Sequence, residues 1–265
     1  MPRFNILSTR LGRLCAFGGL YVSAGLPQGF TSVALAMEFK RRGMDDAAIG
    51  TFTALTILPW TWKFLMGPLV DNLHLRRFGA RKQWIVASQI GMLLTLCGAL
   101  LRMPEVGDVS NLSMIIFTAL LVIHNVFAAT QDVAIDALAC QVLKEDERGI
   151  ANGIMFGGAQ AGSAIGGSAV LALKGVLGGF GSASLLVPLL LCAILIGVIT
   201  LICEKSAAQE MADGELTSPH PGEHGLDAVR AQIADYARTV GRTIFLTGNG
   251  RLGLLMALLP MGGMA

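Results

Sequence analysis

An all-α, multi-pass membrane protein is the fold class this sequence predicts, on three grounds: six long apolar runs, few charges, and a lopsided distribution of the basic residues. Five runs contain no Asp, Glu, Lys or Arg: residues 14–37, 83–101, 109–131, 149–173 and 175–203. The sixth, residues 47–70, is interrupted only by Lys63. A helix needs about 20 apolar residues to cross the hydrocarbon core. Each run meets or nearly meets that length, so the runs predict six spans in three antiparallel pairs. Hydrophobic residues make up 53% of the chain and charged residues 14%, against about a quarter charged in a soluble domain. The net charge of +2 gives no footing for a nucleic-acid partner or an acidic polymer.

The first run follows Arg3, Arg10 and Arg13. It is longer than a signal-peptide core and lacks a clear cleavage site, so it reads as a retained span. Cytoplasmic segments keep the excess of Lys and Arg, and alternate loops here hold fourteen and five of them, with Lys63 inside a span. That imbalance predicts a cytoplasmic amino terminus; the expected location is the cytoplasmic (inner) membrane. The weak point is the first outer loop, where Lys40, Arg41 and Arg42 sit beside Glu38, Asp45 and Asp46. Residues 1–203 thus form a six-span bundle. Residues 204–250 form a cytoplasmic loop, which opens as a polar linker with Pro219 and Pro221. From Leu226 a helical period returns through Val229, Ile233, Tyr236, Val240 and Ile244, flanked by Arg230, Arg238 and Arg242, as in a helix lying on an interface. Residues 251–265 read as the start of a seventh span, inside which the chain is expected to stop. Cys15, Cys97, Cys140, Cys192 and Cys203 lack metal-site spacing and read as packing residues; no metal or cofactor is expected.

Two motifs carry a family resemblance. The second run reads Pro59-Trp60-Thr61-Trp62-Lys63-Phe64, then Gly67-Pro68-Leu69-Val70-Asp71, with Arg76, Arg77, Arg81 and Lys82 close behind. This resembles the loop between spans two and three of the major facilitator superfamily, and it marks Gly67, Asp71, Arg81 and Lys82 as its gating-loop motif. The fourth run ends Ala129-Thr130-Gln131-Asp132-Val133-Ala134-Ile135-Asp136-Ala137, which is similar to the signature of the AmpG-like branch. That branch contains muropeptide permeases, acetyl-CoA transporters and some siderophore importers. The resemblance, clearest over residues 20–173, implies a twelve-helix transporter whose first six helices this chain supplies, with a missing carboxy-terminal half as partner. Asn72 and Gln160 depart from the pattern, standing where the superfamily usually has an Arg and where AmpG-like proteins often have a basic residue.

Polar residues inside the spans are the site candidates, because ionisable groups there cost about 2.5–3.5 kcal/mol on insertion scales and face a cavity or a partner. At about 100° per residue, Asn125, Asp132 and Asp136 form one stripe on the fourth helix, with His124 and Gln131 on a second edge. Lys63 is about 12 Å from Asp71 along a regular helix. Its long stem can snorkel to the surface; otherwise it requires a carboxylate such as Asp132 or an anionic solute group. In the first run Tyr21, Gln28 and Ser32 share a face, with Pro27 between them. The glycines of the fifth run fall at four-residue spacing in two ridges, Gly149, Gly153, Gly157 and Gly158, Gly162, Gly166, as suits close helix packing.

The expected activity is secondary transport of a small solute by alternating access. With no GxxxxGK[ST] loop in the sequence, the expected drive is an ion gradient, with protons taken up by Asp132 or Asp136 during import. Rival readings are an efflux or siderophore transporter of the same superfamily and a membrane sensor or assembly protein that moves nothing. An aspartyl protease needs two carboxylates facing each other from separate elements, whereas these lie one turn apart on one helix, so no enzyme is expected.

Overall fold

The computed structural model describes residues 5–73, 79–104, 112–205, 226–246 and 248. The expected linker over 206–225, the expected seventh span over 251–265, the loop arginines Arg76 and Arg77 and the side chain of Asn72 lie outside the described residues. So do the side chains of Leu226, Val229, Tyr236, Val240 and Ile244.

Helix α1 spans Arg10–Gly29. It starts at Thr9, whose extended backbone lets Oγ1 accept a hydrogen bond from the Gly12 N–H at 3.1 Å. Near its end Pro27 removes a backbone donor, and the chain widens into a π-helical segment, Phe30–Leu35, before closing as α2, Ala36–Arg41. The hydroxyls of Thr31 and Ser32 donate to the carbonyls of Pro27 and Gln28 at 2.9 and 2.6 Å, supplying donors where the backbone ladder is disturbed. Asp45 caps α3, Asp46–Thr61, by accepting from the Ala47 N–H.

The expected single span over 47–70 is in fact broken. Pro59 lies in the last turn of α3, the ladder tightens into a 3₁₀ turn at Lys63–Leu65, and α4, Met66–Asn72, follows. Counting apolar residues could not register this break, because every residue around Lys63 is apolar or aromatic except Thr61.

Helices α5, Lys82–Leu101, and α6, Leu112–Val142, come next. They are followed by α7, Arg148–Ala164, a second π-helical segment, Ile165–Ala169, and α8, Val170–Leu173. Gly178 and Gly179, at φ of 80° and 137°, turn the chain into α9, Phe180–Ser184, and α10, Leu186–Leu201. Helix α11, Leu226–Leu246, lies against α4. The described residues contain no strand. Among the described residues, four helical stretches are long and apolar enough to cross a membrane: Lys82–Leu101, Leu112–Val142, Glu145–Leu173 and Phe180–Leu201. The first run is helical throughout, but Ser23, Gln28, Thr31 and Ser32 dilute its apolarity.

The tightest packing joins α1 to α7. A Cβ on Gly158, Gly162 or Gly166 would overlap the carbonyl oxygen of Gly18, Val22 or Leu26, and one on Gly25 or Gly29 would overlap that of Ala159 or Ser163. Both sets advance in the same direction along the two helices, so the pair is parallel and in register. Ion pairs close it at both ends. Arg13 and Glu147, both buried, meet at 2.5 Å, and Lys174 lies 3.5 Å from Glu38. The other expected ridge does not pack, since nothing lies within 4 Å of a Cβ on Gly149, Gly153 or Gly157. Helices α5 and α6 form an antiparallel pair in which Gly91 admits the Phe127 ring and Gly98 faces Leu120.

The two ridges give a direct comparison. Gly162→Ala should destabilise by about 1–3 kcal/mol because backbone atoms cannot yield, whereas Gly153→Ala should be neutral or stabilise by up to about 1 kcal/mol through helix propensity. Denaturant titration of the protein in mixed micelles reads both. Equal effects at the two positions would contradict the packing described.

Candidate functional site

Three helical columns bring the ionisable residues together. The 3₁₀ turn after α3 delivers Lys63, α6 presents Asp132 and Asp136 one turn apart, and α1 presents Tyr21. Lys63 Nζ donates to Asp132 Oδ2 and lies 3.5 Å from Asp136 Oδ2. The Tyr21 hydroxyl donates to Asp136 Oδ1 at 2.5 Å. Lys63 therefore does not snorkel; it bridges both aspartates. The carboxylates are unequal, since the Asp132 side chain is 8% exposed and that of Asp136 is 44% exposed. One ammonium against two carboxylates leaves a formal charge of minus one in this set. A charge of that kind in a poorly solvated setting calls for a cation, either a proton or a charged group of a solute.

The remaining candidates divide. Asn125, on the same stripe of α6, accepts from Trp60 Nε1 at 2.9 Å and donates to the Leu121 carbonyl at 2.9 Å. Gln131 turns away from the aspartates, and its Nε2 donates to Ser23 Oγ at 2.7 Å inside the bundle. Gln28 and Ser32 are exposed on the first column, and Gln160 is exposed on α7. Trp60 was not among the sequence candidates. Its signal was the Pro59-Trp60-Thr61-Trp62 cluster directly before Lys63.

At the end of the bundle where the chain begins, Asp71 Oδ1 lies 3.9 Å from Arg81 Nη2. Burial pushes the Asp71 carboxyl above its ordinary range, and Arg81 opposes the shift. Gly67 makes no close approach, as nothing lies within 4 Å of a Cβ there. Two helix ends cap each other at this level. Glu204, just beyond α10, accepts from the backbone N–H groups of Arg81 and Lys82 at 3.1 and 2.7 Å. Lys82 Nζ donates to the carbonyls of Ile199 and Ile202 at 3.1 and 2.5 Å. Each charge sits at the helix end whose partial charge it complements. Asn5 adds a reciprocal pair of hydrogen bonds to the Cys203 backbone at 2.9 and 3.1 Å.

At the opposite end, Glu38 is buried and receives Arg41 at 2.9 and 3.0 Å and Arg42 at 2.7 Å. These guanidinium groups, Arg41 foremost, hold its carboxyl down to about 2. Lys40 pairs with Asp46 at 2.5 Å. Sequence reading treated these groups as loop charges, although Arg41 and Arg42 stand three and four residues beyond Glu38, the spacing at which a helical turn brings side chains together.

Comparison with known proteins now has a fold and a site to refer to. A profile of the Major Facilitator Superfamily matches residues 17–264. The chain is 31% identical over 162 residues to a protein of Rickettsia conorii named putative transporter AmpG 4, a match covering 60% of this chain and 37% of that protein. It is 31% identical over 149 residues to the anhydromuropeptide permease of Escherichia coli, covering 56% of this chain and 29% of the permease. An uncharacterized protein of Haemophilus influenzae is 32% identical over 148 residues, 55% of this chain and 32% of that protein. The chain thus matches about a third of the length of these curated relatives. With a profile match over almost the whole chain and several helices fit to cross a membrane, the chain belongs to the major facilitator superfamily of multi-pass membrane transporters, as an AmpG-like member.

Proposed function

We propose that the protein carrying this chain imports a small solute across the cytoplasmic membrane by proton-coupled alternating access, with this bundle forming one wall of the pathway. The observation that carries the reading is the Lys63, Asp132, Asp136 and Tyr21 set, an odd-charged cluster on the inward stripe of a long apolar helix. Asp132 is the fixed counter-ion of Lys63. Asp136, more exposed, with Tyr21 at one oxygen and Lys63 3.5 Å from the other, is the group that takes up and releases the proton. Lys63, shared between the two, is free to lean toward Asp132 when Asp136 is neutral. The name of the Escherichia coli relative, anhydromuropeptide permease, suggests amino-sugar peptides as the first solutes to test.

In this reading the amino terminus is cytoplasmic. The excess of Lys and Arg on the side of the amino terminus supports it. Single cysteines placed at Asp108 and in the 206–225 segment should react with impermeant thiol reagents from outside and from the cytoplasm respectively. The reverse pattern would invert the orientation.

Transport separates the two aspartates. In proteoliposomes of the full-length protein, Asp136→Asn should abolish accumulation driven by a proton gradient while keeping solute exchange across equal concentrations. Asp132→Asn strands Lys63, so it should weaken both. Gradient-driven accumulation that survives in Asp136→Asn would sink this assignment.

A further inference from the structure

Helix α6 has a second polar face, directed away from the charged set. Along it, where α6 packs on α5 and α1, four buried side-chain atoms lack a hydrogen-bond partner: Ser88 Oγ, Gln89 Oε1, His124 Nε2 and Gln131 Oε1. Their residues are at most 1% exposed. The other atoms of these groups are engaged and hold the seam in place. Gln131 Nε2 and Gln89 Nε2 both donate to Ser23 Oγ, at 2.7 and 3.3 Å, and Ser23 in turn donates to the Leu20 carbonyl at 2.5 Å. His124 Nδ1 lies 3.0 Å from the Met92 carbonyl. A carbonyl can only accept, so Nδ1 carries the proton and Nε2 presents a lone pair.

Three of the four atoms are therefore acceptors, and the fourth is a hydroxyl that both donates and accepts. Leaving them bare in an apolar bundle is costly, because no bulk solvent reaches them and buried polar groups are as a rule satisfied. We propose that this seam between α1, α5 and α6 is an internal hydration site holding at least two water molecules. One water supplies two donors, which matches the Gln89 and Gln131 amide oxygens, whose nitrogens converge on one Ser23 hydroxyl. His124 lies seven residues from Gln131 on α6, about 10 Å along the axis, too far for the same molecule to serve. A second water is required at its Nε2. The ligand is neutral rather than a metal cation, because the lining groups are amides, a hydroxyl and an imidazole, and the nearest carboxylate in sequence, Asp132, is engaged by Lys63. The α5–α6 contact is consequently a wet interface.

Synchrotron hydroxyl-radical labelling of the full-length protein in lipid nanodiscs tests the site, since radicals form from water at the residues that hold it. His124 and Met92 should be modified several-fold faster than Met114 and Met155, which are buried away from the seam. The variant His124→Phe, which removes the acceptor that holds the second water, should slow the labelling of Met92 without changing it at exposed methionines. Labelling of His124 and Met92 as slow as that of the two control methionines would overturn the proposal. So would an experimental density map showing the Gln89 and Gln131 oxygens around a feature at about 2.3–2.6 Å, the spacing of a cation with oxygen ligands. A feature about 2.7–3.2 Å from them, as hydrogen bonding requires, supports water.

Discussion

Keeping Lys63 charged inside an apolar bundle is the constraint around which the other features fall into place. An ammonium at that depth needs compensation, and one carboxylate suffices for charge. Two are present, and the second makes the cluster responsive. Breaking such a pair by removing one partner costs about 3–5 kcal/mol where both are fully buried. The partly exposed Lys63 lowers that figure here, but the sense of the effect holds. The break between α3 and α4 follows from the same requirement. The 3₁₀ turn at Lys63–Leu65 sets the lysine opposite two consecutive inward turns of α6.

The site also depends on where α1 stands, because Tyr21 reaches Asp136 only if the first column is held firmly. That holding is geometric rather than polar along most of its length. Glycine on each helix of the α1–α7 pair meets backbone carbonyls of the other, so the two approach at a distance no larger side chain would allow. The Arg13–Glu147 pair at one end and the Glu38–Lys174 contact at the other fix the register. A parallel pair tied in this way resists sliding of one helix along the other, so movement of this part of the protein is more easily borne by the two as a unit.

Much of this was legible in the sequence, and the exceptions have physical causes. Long apolar runs give helices because the membrane leaves the backbone no other way to satisfy its hydrogen bonds; α5 follows its run almost residue for residue, whereas α6 runs on past its own to Val142 and α10 begins only at Leu186. The need of Lys63 for a carboxylate is a matter of chemistry and points to Asp132 without any structure. Which glycine ridge packs is another matter. The ridges led by Gly149 and Gly158 share one spacing, and only the position of α1 distinguishes them. The break at Lys63 escaped because apolarity and helical continuity are separate properties, and Pro59 is tolerated in many unbroken helices. The inward turn of Gln131 onto Ser23 and the approach of Lys174 to Glu38 join residues far apart in sequence, for which a single chain carries no local signal.

The account rests on Asp136 binding a proton while Asp132 stays ionised beside Lys63. Difference infrared spectroscopy of the full-length protein, recorded as pH is stepped across the working range, observes this directly through the stretch of a protonated carboxyl. The account predicts a band that appears on acidification, is absent in Asp136→Asn, and persists in Tyr21→Phe with a shifted frequency because its hydrogen bond is gone. A band that persists in Asp136→Asn and vanishes in Asp132→Asn would contradict it.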